Sequence, residues 1–592
     1  MKTSTPTQWN LELLVNDQNL KETDQVQKAA AAVDAFCNAW KTNTQFLIDA
    51  HTLRQALDEY EQLMRIHGLD GNVGYYYSLK HSLNSEDAAT KAGLSQATQN
   101  AQKQWSKLQF FMLSLGKIPS AKQKEFLASE RLWPYKHLLE QCFASGQYTL
   151  TETEERIVMM KSTSAYAAWE RLIPDLLSAE QKTLVVEKGG EPALQSFEQV
   201  MNAMNNRDQQ VRDGAAHVFD EILTSHEKVA TAQLNSILEY KRVEDEIRGY
   251  KRADSARLLS DDVEEEVVDA LVEAVVATNT IAHEYYAKKA NLLGLARLQY
   301  HERNLEIGSI DKTYSYDEAN QMVGDMFAAL DGEFADIYQR LQLGAQMDVF
   351  PKVGKRGGAF CAHDMLTNPT YVLLNFTGQL RDVTTIAHEF GHAINNELIR
   401  QSRLHSLYFA TPTSTAEVAS TFMEDFIYER LASGVDEPTK QSLMMSRLND
   451  DISTIWRQVA CYRFERALHD AYRNNGYVSS EQIGELFTQY MSEYMGPAVL
   501  QSAGSHRWWI YWSHIRAYFY NYSYAFGLLI SKLMQARVRQ DGAYIAQVKT
   551  FLSAGTSASP QEVLKNIGID IAAPLVWQEG IDQVKKNLQA VV

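Results

Sequence analysis

At 592 residues the chain is long enough for several domain-sized units, and its 45% hydrophobic and 22% charged content is that of a folded globular protein rather than a disordered one. The formal net charge of -17 argues against a nucleic-acid partner, because affinity for a phosphate backbone is carried by clustered Lys and Arg. No stretch approaches the roughly 18 uninterrupted apolar residues that cross a bilayer, so no membrane role is expected.

In chain order, the amino terminus reads Met1-Lys2-Thr3-Ser4 and soon reaches Asn10, Glu12, Asn16 and Asp17. It lacks the apolar run of a secretory signal, and a cytoplasmic protein is the expectation. A short break surrounds Asn84-Ser85-Glu86-Asp87, and a stronger one, Glu187-Lys188-Gly189-Gly190-Glu191-Pro192, reads as a linker or domain edge. The expected division is therefore an N-terminal helical region, 1–190, and a catalytic region, 191–592. Apolar residues recur at three- and four-residue steps from Val211 to Leu238 and from Val263 to Leu293. With 12 prolines and 30 glycines in the whole chain, this period makes the protein mainly α.

The one clear β-like passage lies between Lys352 and Gly378. It holds a turn, Gly354-Lys355-Arg356-Gly357-Gly358, and then Tyr371-Val372-Leu373-Leu374-Asn375-Phe376, whose aromatic and branched residues suit a strand. The glycines do not match the phosphate-binding pattern GxxxxGK[ST].

Directly after it comes Ala387-His388-Glu389-Phe390-Gly391-His392-Ala393, which contains HExxH. On a helix, histidines four positions apart stack on one face and can aim both imidazoles at one ion. Ile386, Phe390, Ala393, Ile394 and Leu398 form the apolar stripe of such a helix, and Asp382 can cap its first turn. Gly391 costs about 1 kcal/mol inside a helix relative to Ala, which would be explained by another backbone passing close to it. His283-Glu284 is only half of the motif, since position 287 is alanine.

A hydrolytic zinc site takes three protein ligands and keeps a position for water. The best candidate for the third is Glu417, at the start of a helical pattern set by Val418, Phe422 and Phe426. The competing reading is a capping box between Ser414 and Glu417, in which the glutamate only satisfies a helix end. Glu424, seven residues on, could orient a ligand histidine or simply face solvent. Cys37, Cys142, Cys361 and Cys461 are too scattered for a thiolate metal site or redox pair and read as free thiols, with Cys361 a small buried hydrophobe rather than a nucleophile.

Together these residues resemble the oligoendopeptidase F family of zinc metallopeptidases, relatives of thimet oligopeptidase. The likeness runs from about Val211 to Leu533 and weakly into the first two hundred residues. It rests on HEFGHA at His388 to Ala393, on Glu417 lying 25 residues beyond His392, and on Gly354 to Phe360 followed by Leu373 to Gly378. It rests also on Trp508-Trp509-Ile510-Tyr511-Trp512-Ser513-His514 leading to Phe519-Tyr520-Asn521-Tyr522-Ser523-Tyr524-Ala525-Phe526-Gly527. Ser513 stands where the family's pattern has proline.

The resemblance implies a mainly α, two-lobed helical clamshell with a deep active-site channel and a small β element beside the HExxH helix. It implies one zinc ion on His388, His392 and Glu417, with Glu389 as general base. His514, Tyr520 and Tyr524 would face the reacting carbonyl, with Tyr518 and Tyr522 as alternatives and a packed aromatic stripe as the other reading of Tyr522. The strand around Leu373 to Phe376 would pair with an extended substrate. The implied activity is endopeptidase cleavage of short unstructured oligopeptides; the rivals are a dipeptidyl carboxypeptidase of the same group and a non-catalytic peptide-binding scaffold.

Overall fold

The computed structural model describes residues 5–14, 22–68, 71–308, 312–502 and 504–591, so Met1 to Ser4, Asn16 and Asp17 lie outside the described residues. In chain order, the elements that bear on the site are strands β1 (Gln181–Leu184) and β2 (Ala193–Ser196), helix α1 (Gln209–Arg248), strands β3 (Met347–Asp348), β4 (Phe360–Ala362) and β5 (Tyr371–Leu373), and helices α2 (Leu380–Gln401), α3 (Ala416–Ser433), α4 (Gln458–Asn475) and α5 (Tyr522–Gln540). Most of the remaining described chain is helical too, as the apolar period requires. The stretch from Val263 to Leu293 is two helices, Glu265–Ala277 and Asn279–Leu292, separated at Thr278. Among the described residues, no helix is long and apolar enough to cross a membrane.

The chain divides into two compact units, each assembled from three stretches. One comprises Met1–Glu152, Asp311–Leu431 and Met534–Ile569; the other comprises Thr153–Ile310, Ala432–Leu533 and Asp570–Val592. Glu187 to Pro192 lies inside the second unit, where it links the antiparallel hairpin of β1 and β2, paired from Gln181 with Ser196 to Leu184 with Ala193. That hairpin corrects the expectation of a single β passage: four-residue strands whose burial alternates weakly leave little period to detect.

In the first unit, Leu53, Leu57, Phe111, Phe126, Tyr135 and Leu139 are completely buried in one helical core. Burying each such side chain contributes about 1.5–3 kcal/mol. A smaller apolar cluster of Trp9, Tyr75, Leu79, Tyr371 and Leu373 supports a three-stranded sheet ordered β3-β5-β4. The Trp9 indole N–H donates to the Val372 carbonyl at 2.9 Å. β5 is therefore the central strand, parallel to β3 and antiparallel to β4. Its continuation is also spent, with the Leu374 and Phe376 amides donating to Asp348 and Val349. The expected edge pairing of substrate is thus overturned at Leu373, which already lies between two strands.

The turn before β4 is closed by Asn375, whose Nδ2 donates to the carbonyls of Arg356 at 2.9 Å and Gly358 at 2.7 Å. Gly354 and Gly358 take φ of 81° and 74°, which glycine adopts without strain.

Candidate metal centre

The backbone reaches α2 directly from β5, and the first turn of the helix is fixed by Asp382. Its carboxylate accepts the backbone N–H groups of Gln379 at 3.0 Å and Thr377 at 2.7 Å, satisfying donors that the helix leaves open. Ile386, Phe390, Ala393 and Ile394 are fully buried, with the Phe390 ring 4.4 Å from that of Tyr338. This stripe locks the rotation of α2 and turns His388 and His392 to the opposite side, ring centroids 5.2 Å apart.

α3 passes against the same helix at Gly391. A Cβ built on Gly391 would lie 2.6 Å from Ser420 Cα and 2.7 Å from the Ala419 carbonyl oxygen, so only glycine allows the two backbones this approach. The consequence is to bring Glu417 to the histidines. Its Oε2 is 3.4 Å from His388 Nε2 and 3.6 Å from His392 Nε2, and one ligand atom from each of the three residues lies within 4.8 Å of the others. Ser420 Oγ donates to the same Glu417 oxygen at 2.8 Å. The Glu417-x-x-Ser420 spacing, one helical turn, was the available sequence signal for that contact. Ser414 Oγ is buried without a hydrogen-bond partner among the described residues, so the alternative cap between Ser414 and Glu417 is not formed.

Glu424, two turns along α3, stands 3.2 Å from His388 Nδ1. A carboxylate there holds a proton on Nδ1, so that with an ion bound Nε2 would be the nitrogen presented to it. Two imidazole nitrogens and a carboxylate oxygen converging in this way are the donor set that a catalytic zinc takes, so the residues fit the ion.

The charges differ sharply across this small space. Burial works against the charged form of His388, but the adjoining Glu417 and Glu424 carboxylates outweigh it and hold the ring up at about 10. His392 goes the other way, to about 4, because burial is reinforced by the positive His388 and only partly offset by Glu417. Burial also pushes up Glu417, yet its hydrogen bond with His388 and its attraction to both rings win and bring it to about 2. Glu389 is 7% exposed, and loss of water raises it to about 7. His388 and the Cys361 backbone N–H oppose that rise, while Glu417 and Glu424 add to it. A dication held beside it would draw it back toward the carboxylate.

Cys361 on β4 thus contributes its backbone to Glu389, a role with no signature in residue type. Its thiol is pushed well above the ordinary range by burial and accepts from Asn396 Nδ2 at 3.5 Å, which marks it as packed rather than nucleophilic.

The late aromatic residues belong to the second unit. The His514 and Tyr520 rings stack 5.3 Å apart at 14°, and Tyr524 lies 5.7 Å from Tyr520 at 51°. All three are half-buried. Tyr522 is completely buried and donates its hydroxyl to Asp261 at 2.8 Å, and the Tyr518 hydroxyl donates to the Ile237 carbonyl at 3.1 Å. These two hydroxyls are committed within the fold.

The second unit also gathers Asp213, His301 and Glu302 within ligand distance of one another. There Arg212 donates to Glu302 Oε1 at 2.7 Å, and this guanidinium already supplies the positive charge that a cation would bring.

Residues 202–583, well over half the chain, match the model of Peptidase family M3, and residues 115–181 match that of Oligopeptidase F. The chain is 24% identical over 580 residues to Group B oligopeptidase PepB of Streptococcus agalactiae, covering 96% of this chain and 93% of the relative. Among solved structures, one from Chlamydophila abortus, classed provisionally as a peptidase, superposes with a TM-score of 0.86 at 21% identity, covering 100% of this chain and 98% of the other. Oligoendopeptidase-F from Enterococcus faecium superposes with a TM-score of 0.70 at 17% identity, covering 96% and 98%. The mainly α fold with little strand is the fold of these structures. The chain belongs to peptidase family M3, with oligoendopeptidase F proteins among its relatives.

Proposed function

We propose that this peptidase is a zinc-dependent endopeptidase that hydrolyses internal bonds of short, unstructured oligopeptides. His388, His392 and Glu417 would hold one ion, and the observation that carries the reading is the convergence of their donor atoms on one point beside the buried Glu389. When bound, zinc acidifies a water and polarises a carbonyl.

Glu389 accepts the proton of the attacking water at its carboxylate and returns it to the departing amine. Glu424 keeps His388 in the tautomer that presents Nε2. His514, Tyr520 and Tyr524 carry hydrogen-bond donors of the kind that stabilise a tetrahedral oxyanion, and that is the role proposed for them, each good donor being worth roughly 3–4 kcal/mol.

The test is digestion of a mixed peptide library by wild type and Glu389→Gln, each with its zinc content measured. Internal cleavage by wild type, and loss of cleavage with zinc retained in the variant, is expected. A variant that cuts as fast as wild type removes Glu389 from its role, and products released only from the free carboxyl end would make the enzyme a carboxypeptidase.

A further inference from the structure

Tyr520 follows an unusual piece of backbone. Tyr518 and Phe519, neither of them glycine, have successive φ values of 55° and 62°. Side chains are poorly tolerated in that region, so two such residues in a row persist only where the surroundings over-determine them.

The residues on both sides of Tyr520 are held in place, and the Tyr520 carbonyl itself accepts from the Ser523 N–H at 3.0 Å and Oγ at 2.6 Å. The Tyr518 ring stacks on Tyr166 at 5.0 Å and 21°, and its hydroxyl is bound to the Ile237 carbonyl. Phe519 is completely buried with its ring 4.7 Å from that of His469. Asn521 is also completely buried, and Tyr522 is tied to Asp261. Two of these anchors meet on one side chain. Glu465, in the middle of α4 and wholly inaccessible, accepts the Phe519 backbone N–H at 2.8 Å and the Asn521 Nδ2 at 3.3 Å. It bridges the residue before Tyr520 to the residue after it.

A buried carboxyl group is a costly way to fill a core. Burial pushes Glu465 up to about 8, against the pull of the Phe519 N–H, Asn521 and Lys241. An apolar side chain would fill the same space without that cost, but it could not hold the Phe519 amide.

We propose that Glu465 is a positioning residue: by clamping the left-handed kink at Phe519 and the Asn521 side chain, it fixes Tyr520 in its stack on His514 and so sets the oxyanion donor. This rests on the role given to Tyr520 above. Glu465 is wholly buried in α4 and acts only through the tyrosine.

The experiment is a double-mutant cycle on the full-length, zinc-loaded enzyme with an internally quenched peptide, reading kcat, KM and zinc content. Glu465→Leu, which preserves volume but not the acceptor, is expected to lower kcat at least tenfold, with KM within threefold and zinc unchanged. Glu465→Gln, which keeps one acceptor oxygen, should recover kcat to within threefold of wild type. In a Tyr520→Phe background, Glu465→Leu should cost less than threefold, because the hydroxyl it positions is gone. Should Glu465→Leu not fold, Asn521→Ala removes the other arm of the clamp and takes its place in the cycle with the same expectations. An equal loss in both backgrounds, or a Gln variant as impaired as Leu, overturns the positioning role alone. Full kcat in Tyr520→Phe by itself overturns the role of Tyr520 and the clamp with it.

Discussion

Gly391 Cα and the backbone of Ser420 are so close that a methyl group on the first would sit 2.6 Å from the Cα of the second. The obstacle is main chain, which cannot rotate away as a side chain can. Gly391→Ala must therefore push α3 off α2 and carry Glu417 away from His388 and His392. Overpacking of this kind costs about 1–3 kcal/mol, and zinc affinity should fall together with the thermal midpoint. Measuring both on the purified variant checks the pairing; unchanged zinc affinity would mean that Glu417 is not placed by this contact.

Glu424 supplies a different test of the same centre, because it would act on a bound ion only through His388. Glu424→Ala leaves Nδ1 without its 3.2 Å partner and frees the ring to change tautomer and angle. Loss of such a partner lowers metal affinity roughly 10- to 100-fold. Chelator competition should show that drop, and activity should return when zinc is added in excess.

Lys289 links stability to pH. Its ammonium is buried, donates to the Arg303 carbonyl at 2.7 Å and Asn449 Oδ1 at 3.0 Å, and is lowered to about 7 by burial with added repulsion from Arg303. Between about 7 and its ordinary 10.5 the unfolded chain binds more protons at this site than the folded one. Stability contributed by this group therefore rises with pH across that window and is level below it. Lys289→Met should remove that slope. The thermal midpoint of the variant relative to wild type should be highest at pH 6–7 and fall as pH approaches 10; a pH-independent difference would contradict the depressed lysine.

The helix that carries HExxH was legible in the sequence because everything that defines it is local: the apolar stripe from Ile386, the cap at Asp382, the two histidines one turn apart. Even the neighbour at Gly391 was foreshadowed, since a glycine inside a helix asks for a reason. Glu417 was harder. Its spacing from Ser414 fits a cap as well as a ligand, and only the packing of α3 on α2 turns its carboxylate to the rings. Strand order was not legible at all. Tyr371 to Leu373 reads as a strand whether central or at an edge, and its partners at Met347 and Phe360 are chosen by tertiary packing. The clamp on Tyr520 was equally hidden, because Glu465 and Phe519 are 54 residues apart and meet through a backbone amide.

The central claim is that His388, His392 and Glu417 together hold a single ion, while Asp213, His301 and Glu302, with Arg212 on Glu302, hold none. Zinc bound per chain at equilibrium, measured for wild type, Glu417→Ala and His301→Ala, tests it most directly. One ion in wild type and in His301→Ala, with affinity at least 100-fold weaker in Glu417→Ala, is the predicted result; full-affinity zinc retained by Glu417→Ala would contradict it.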